Sequence, residues 1–263
     1  MNQILTELWT DYTTITPDAQ KVHDLLEGRG ERIVNDHVAF RTFNCAPISI
    51  KDFHPLILKQ GYTHVGTLHF DEKKLDANYY SPPDPFLPRI FISELILEDF
   101  SPRLQSFCKA LAQKGGAEIK KNGLRFITRP WGKIAHADYE WLLKETEYAA
   151  WVAAFGIRAN HFTVSVNHLK TLKGIEALNG VLKETGFTLN SKGGEVKGTK
   201  EQMLRQSSTM AKTLNWEFAD GTFPVMSCYY EFAERFSDPK TGKIFDGFIP
   251  ESANKIFEST YRG

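Results

Sequence analysis

Apolar positions recur along the chain with two periods, near four residues in some stretches and two in others. Ile4, Leu5, Leu8, Trp9 and Tyr12 fall on one helical face, so the chain is expected to begin with an amphipathic helix. Thr16-Pro17-Asp18 reads as an N-cap with proline at the first helical position. Val22, Leu25 and Leu26 continue that second helix, and Gly28 and Gly30 end it. Asp36 to Asn44 alternates as a strand does, and Ile48 to Gln60 returns to helical spacing before Gly61. Strands follow around Tyr62–Phe70 and Arg89–Leu97, separated by a Pro-rich loop, Ser81–Pro88. Ser101-Pro102 opens a further helix that Gly115-Gly116 is expected to stop.

The second half repeats this order. Asn160 to Asn167 is strand-like, Leu172 to Thr185 is helical, and Gly186 closes it. Phe187–Asn190 reads as a strand, Ser191–Lys200 as a Gly- and Lys-rich loop, and Met226–Phe232 as another strand. Asp36-His37 thus stands against Asn160-His161, and Gly61-Tyr62 against Gly186-Phe187. Ile92-Ser93-Glu94-Leu95 stands against Tyr229-Tyr230-Glu231-Phe232. The extra residues of the second unit are assigned to the Ser191–Lys200 loop. The expected organisation is one domain, 1–263, with pseudo-repeat units at about 32–100 and 157–235. Its fold class is α+β: paired strand-helix-strand units build a curved sheet around a central cleft, with added helices.

Alternation assigns faces. His37, Ala39, Arg41 and Phe43 share one face of the first strand. His161, Thr163, Ser165 and Asn167 share one face of the second, opposite Phe162, Val164 and Val166. That polar face must meet water, a ligand or a metal. Glu231 shares its face with Tyr229 and Ser227, whereas Glu94 lies in the apolar row of Ile90, Ile92 and Ile96. Glu231 is therefore favoured as a ligand. Two imidazoles and one carboxylate suit non-haem Fe(II), with Mn, Ni or Zn also compatible. Arg41 stands four residues beyond His37 on the same face, about 13 Å away along the strand. Its guanidinium could grip a carboxylate in a bidentate fork, or serve an ordinary salt bridge. His23, His54, His64, His69, His136 and His168 have settings that suit structural roles.

Composition narrows the classes of function. The 263 residues carry 32 basic and 32 acidic side chains, so no basic excess points to nucleic acid. The run Lys120, Lys121, Arg125, Arg129, Lys133 reads as a solvated face. No stretch reaches the ~18 apolar residues that span a bilayer. The first residues lack the pattern of a signal peptide, and Cys45, Cys108 and Cys228 suit reduced thiols, so the expected location is the cytoplasm. GxSxG, Walker A, HExxH and GxGxxG motifs are absent from the sequence.

His37-Val38-Ala39-Phe40-Arg41-Thr42, Asn160-His161, Tyr229-Tyr230-Glu231-Phe232 and Phe248-Ile249-Pro250-Glu251-Ser252-Ala253 together resemble the DUF1338 family. That family includes 2-oxoadipate dioxygenase/decarboxylases, and the resemblance covers nearly the whole chain. It implies a fold related to the vicinal oxygen chelate proteins and Fe(II) held by His37, His161 and Glu231. It also implies a substrate-carboxylate role for Arg41 and substrate contacts from Gln206 and Ser252. The partners implied are O2 and a small 2-oxo dicarboxylic acid, 2-oxoadipate, which would yield 2-hydroxyglutarate and CO2. Glu251 departs from the small apolar residue expected in the tail motif, and a carboxylate there would disfavour a diacid. Two other readings fit the residues: a non-oxidative metalloenzyme on the same scaffold, and a metal-free module that binds small acids.

Overall fold

A computed structural model describes residues 2–260. The chain opens with α1 (Asn2–Ile15) and α2 (Pro17–Gly28). The first half of the sheet follows: β1 (Asn35–Phe43), α3 (Ile50–Lys59), β2 (Thr63–Phe70), β3 (Leu75–Ser81) and β4 (Arg89–Leu95). Three helices bridge the halves: α4 (Pro102–Asn122), α5 (His136–Glu145) and α6 (Glu147–Phe155). The second half comprises β5 (Ala159–Ser165), α7 (Ile175–Glu184), β6 (Lys197–Thr199), β7 (Leu204–Ser208) and β10 (Glu231–Arg235). A hairpin of β8 (Thr213–Phe218) and β9 (Gly221–Met226) interrupts it, and α8 (Pro250–Phe257) with a short 3-10 turn (Glu258–Thr260) closes the described chain.

Eight strands form one curled mixed sheet in the order β2-β3-β4-β1-β5-β10-β7-β6. Its halves share one pairing scheme. β1 lies parallel to β4, and β5 lies parallel to β10. In each half an antiparallel strand pair then extends outward, β3 and β2 on one side, β7 and β6 on the other. β1 and β5 join antiparallel at the seam. The central strands β1 and β5 are buried along nearly their whole length. Val38, Phe40, Phe162 and Val164 project on the face opposite the histidines and enter the core. Each such side chain contributes roughly 1.5–3 kcal/mol when fully buried.

Several elements differ from expectation for local physical reasons. α4 runs through Gly115-Gly116 to Asn122 and ends at Gly123, whose φ is 78°. Gly115 is needed for close approach rather than termination: a Cβ there would lie 3.0 Å from the Pro130 ring. Phe187–Asn190 forms only an isolated bridge, Leu189 to Thr209, while the expected loop Ser191–Lys200 contains the short edge strand β6. The strand expected at Met226–Phe232 is split. Met226 ends β9, and β10 begins at Glu231. The hairpin between β7 and β10 is an insertion with no counterpart between β3 and β4.

The register also corrects the pairing of Glu94 with Glu231. Glu231 lies opposite Thr163, two residues beyond His161. The position two residues beyond His37 is Ala39, and its partner on β4 is Phe91. Phe91 therefore occupies the place of Glu231 in the first half. Glu94 instead accepts a 2.7 Å hydrogen bond from the Ile50 amide at the start of α3. It caps a helix and stays out of the cleft.

Candidate active site

The strands β1, β5 and β10 bring His37, His161 and Glu231 together at the seam. Their ligand atoms lie within 4.8 Å of one another, and all three residues are buried. Among the described residues this is the one group of three or more His, Cys, Asp or Glu so arranged. His161 Nε2 stands 3.2 Å from Glu231 Oε2, and His37 Nε2 stands 3.7 Å from Glu231 Oε1. Each histidine is oriented by the residue before it. His37 Nδ1 lies 2.8 Å from Asp36 Oδ1, and His161 Nδ1 lies 2.9 Å from Asn160 Oδ1.

A carboxylate only accepts hydrogen bonds, so His37 donates from Nδ1 and its Nε2 lone pair accepts from the Thr163 hydroxyl at 3.0 Å, on the side that faces Glu231. The three side chains converge imidazole nitrogens and a carboxylate on one buried point, a set that could hold a metal ion. The protonation states suit a metal. Burial pushes the His161 pKa down, outweighing the Glu231 carboxylate, so the imidazole is held neutral. Burial would raise the Glu231 carboxyl, but the His37 and His161 imidazoles and the Gln206 amide bring it below the ordinary range. The donor set fits a divalent first-row metal with sites left for ligands.

Asp36 is itself anchored. The buried Arg235 donates from Nε to Asp36 Oδ2 at 2.7 Å and from a terminal nitrogen to Oδ1 at 2.9 Å. Arg235 also donates to the carbonyls of Phe245 and Gly247. Burial would raise the Asp36 carboxyl, yet Arg235 and His37 hold it well below the usual carboxylate range.

Arg41 is buried on the same strand as His37. It donates to Glu147 Oε1 at 2.9 Å, and its guanidinium lies 5.0 Å from the Tyr148 ring centre and 5.4 Å from that of Trp151. α6 thus builds a box around Arg41. Its Nε has no hydrogen-bond partner among the described residues. Gln206 on β7 donates to Glu231 Oε1 at 2.6 Å, and its own Oε1 is unpartnered and buried. Ser252 is buried too, but it sits against Gly198 of β6, where an added Cβ would lie 3.0 Å from its Oγ. From α8 the small metal cavity is lined instead by Ala253, Ile256 and Phe257. Glu251 points to solvent, because one helical step separates it from the buried face.

The space at the triad is about 20 Å³, also lined by Phe91, Gln206 and Phe248. A second cavity of about 180 Å³ is lined by Arg41, Lys73, Glu147 and Tyr148. Phe257 borders both. A third cavity, about 910 Å³, lies on the opposite face of the sheet and is mostly apolar, lined by Leu5, Leu8, Val38 and Phe40 among others. It shares no residue with the triad.

Sequence reasoning passed over Asp36, Asn160, Arg235, Glu147 and Tyr229 as site residues. One signal was available for the first two: an acceptor side chain precedes each histidine in both halves. Tyr229 stacks on the His161 ring at 4.7 Å. Burial and the Glu231 carboxylate push its hydroxyl pKa well up, so it stays a protonated donor.

Comparison with known proteins places this geometry in a family. The family model described as 2-oxoadipate dioxygenase/decarboxylase matches residues 3–240. The chain belongs to that family. A protein of Arabidopsis thaliana named 2-oxoadipate dioxygenase/decarboxylase, chloroplastic, is 35% identical over 285 residues, covering 98% of this chain and 77% of the relative. The structure of an Oryza sativa hydroxyglutarate synthase in complex with 2-oxoadipate is 34% identical, with a TM-score of 0.91 over 98% of this chain and 91% of that one. A Shewanella frigidimarina structure, described as that of a candidate hydrolase, is 43% identical, with a TM-score of 0.86 over 95% of this chain and 97% of that one. The fold is that of the vicinal oxygen chelate proteins. A Ralstonia eutropha structure assigned to the glyoxalase superfamily matches it with a TM-score of 0.73 at 21% identity, covering 93% and 84% of the two chains.

Proposed function

We propose that this protein is an Fe(II)-dependent oxygenase that decarboxylates a 2-oxo dicarboxylic acid, with 2-oxoadipate as substrate and 2-hydroxyglutarate and CO2 as products. The observation that carries the reading is the buried His37, His161 and Glu231 group, with Arg41 on the same strand face as His37. Family membership and the Oryza sativa relative's complex with 2-oxoadipate support the substrate class. His37, His161 and Glu231 would hold the metal, which when bound supplies activation of O2 and a Lewis acid for the 2-oxo acid.

The chain's own residues supply geometry and a dry cavity. Asp36 and Asn160 fix the two imidazole rings. Gln206 holds the Glu231 carboxylate and leaves its amide oxygen for a ligand donor. Arg41, held on one side by Glu147, offers its unpartnered Nε edge to the substrate carboxylate remote from the 2-oxo group. Phe91, Phe248 and Ile256 exclude water from the triad. In the overall balance the C1–C2 bond breaks and C1 leaves as CO2. One atom of O2 completes the new carboxylate at C2, and the other becomes the hydroxyl on the neighbouring carbon.

The test is mass spectrometry of the product formed from 2-oxoadipate under 18O2 by iron-loaded protein. The expected product is 2-hydroxyglutarate carrying two labelled oxygens. An unlabelled product, or none from iron-loaded protein, would overturn the reading.

A further inference from the structure

Tyr229 carries a feature that the metal site and the Arg41 box leave unexplained. The residue is fully buried, and its hydroxyl has no hydrogen-bond partner among the described residues. A buried hydroxyl left without a partner is destabilising, and a ligand that accepts its hydrogen bond would satisfy it. Its position is fixed. Tyr12 Oη on α1 donates to the Tyr229 carbonyl at 2.5 Å, and the Tyr229 ring stacks on His161 with planes 26° apart. Arg41 Nε and Gln206 Oε1 are also unpartnered among the described residues. The Tyr229 hydroxyl and Arg41 Nε can both donate, and the proposed ligand is rich in acceptor oxygens.

We infer that the Tyr229 hydroxyl is a substrate-binding donor that hydrogen-bonds the 2-oxo acid head of the ligand, beside His161. The inference rests on the proposed substrate class. It goes beyond it by assigning the two ends of the ligand to different residues: Tyr229 reads the head shared by all 2-oxo acids, and Arg41 reads the distal carboxylate of diacids.

The experiment compares wild type with Tyr229→Phe, both iron-loaded and anaerobic, by calorimetric titration with 2-oxoadipate and with the monoacid 2-oxohexanoate. Thermal melting of the two metal-free proteins accompanies it. Loss of one hydrogen bond to a charged acceptor should weaken binding of both acids about tenfold. Iron content should be unchanged. The metal-free variant should melt no lower than wild type, because phenylalanine removes an unsatisfied hydroxyl and leaves the ring stack intact. Equal affinities in the two proteins would overturn the inference. So would a penalty confined to the diacid, which would move the contact to the distal carboxylate, or a lower melting temperature, which would reveal a structural partner. Iron-loaded wild type that binds neither acid would be a different failure, that of the proposed substrate class.

Discussion

The two halves of the sheet use one pairing scheme and equip it differently. In the second half β5 and β10 supply His161 and, opposite Thr163, Glu231. In the first half the same relation of β1 to β4 supplies His37 and Phe91, whose ring packs on Phe248 at 5.0 Å. The support of each histidine differs too. Asn160 is neutral, whereas Asp36 is charged and is neutralised by Arg235, which comes from the other half. The backbone thus fixes where a side chain points, and residue type decides whether that position binds a metal or walls it off. The candidate metal site belongs to neither half alone, because β1 contributes one histidine and β5 and β10 the rest.

The largest break in this comparison should come from the second half. Glu231→Ala should bring iron content, measured by mass spectrometry on untagged protein, to background, and oxygenase activity with it. Asp36→Asn should come next. It leaves Arg235 buried without its counter-charge, and chemical denaturation should show a loss of ~3–5 kcal/mol. Iron affinity should fall by up to ~10-fold, because the charged anchor of His37 is replaced by a neutral amide oxygen of the kind that Asn160 offers His161. Asn160→Ala, its counterpart in the second half, removes only a neutral contact and should cost ~1 kcal/mol of stability.

Acid titration sharpens the contrast. The Asp36 pKa is depressed in the folded state, so its contribution is fully present above the unfolded value of about 3.9 and is lost as pH falls through the folded value. Asp36→Asn should flatten that part of the stability profile, whereas Asn160→Ala should leave it unchanged.

Arg41→Gln should leave iron content intact and weaken 2-oxoadipate binding ~10–100-fold, with little effect on 2-oxohexanoate, as calorimetry can measure. The smallest effect is expected at Glu94. Glu94→Gln should cost ~0.5–1 kcal/mol through the α3 cap and leave iron binding untouched.

Much of the site was legible in the sequence, because alternation along β1 and β5 is a short-range property. His37 and Arg41 share a face, and so do His161 and Thr163. The Thr163 hydroxyl indeed lies 3.0 Å from His37 Nε2. What failed were features set by long-range register. Motif order paired Glu94 with Glu231, but the ladders pair Phe91 with it. The β8–β9 insertion shifted the strand expected at Met226, and nothing local announced it. Gly115-Gly116 looked like a helix stop because the sequence does not show Pro130 packed against Gly115. α6 is apolar on all sides, so periodicity gave no face to read, yet it supplies Glu147, Tyr148 and Trp151 around Arg41. On α8 it is Ser252 and Ala253, the neighbours of Glu251, that face inward.

The most direct measurement is oxygen uptake by anaerobically Fe(II)-loaded protein on addition of 2-oxoadipate, with CO2 release recorded in parallel. The account predicts uptake with one CO2 released per O2 consumed, and none from Glu231→Ala. No uptake from wild-type protein with iron confirmed bound, or CO2 release without oxygen consumption, would contradict it.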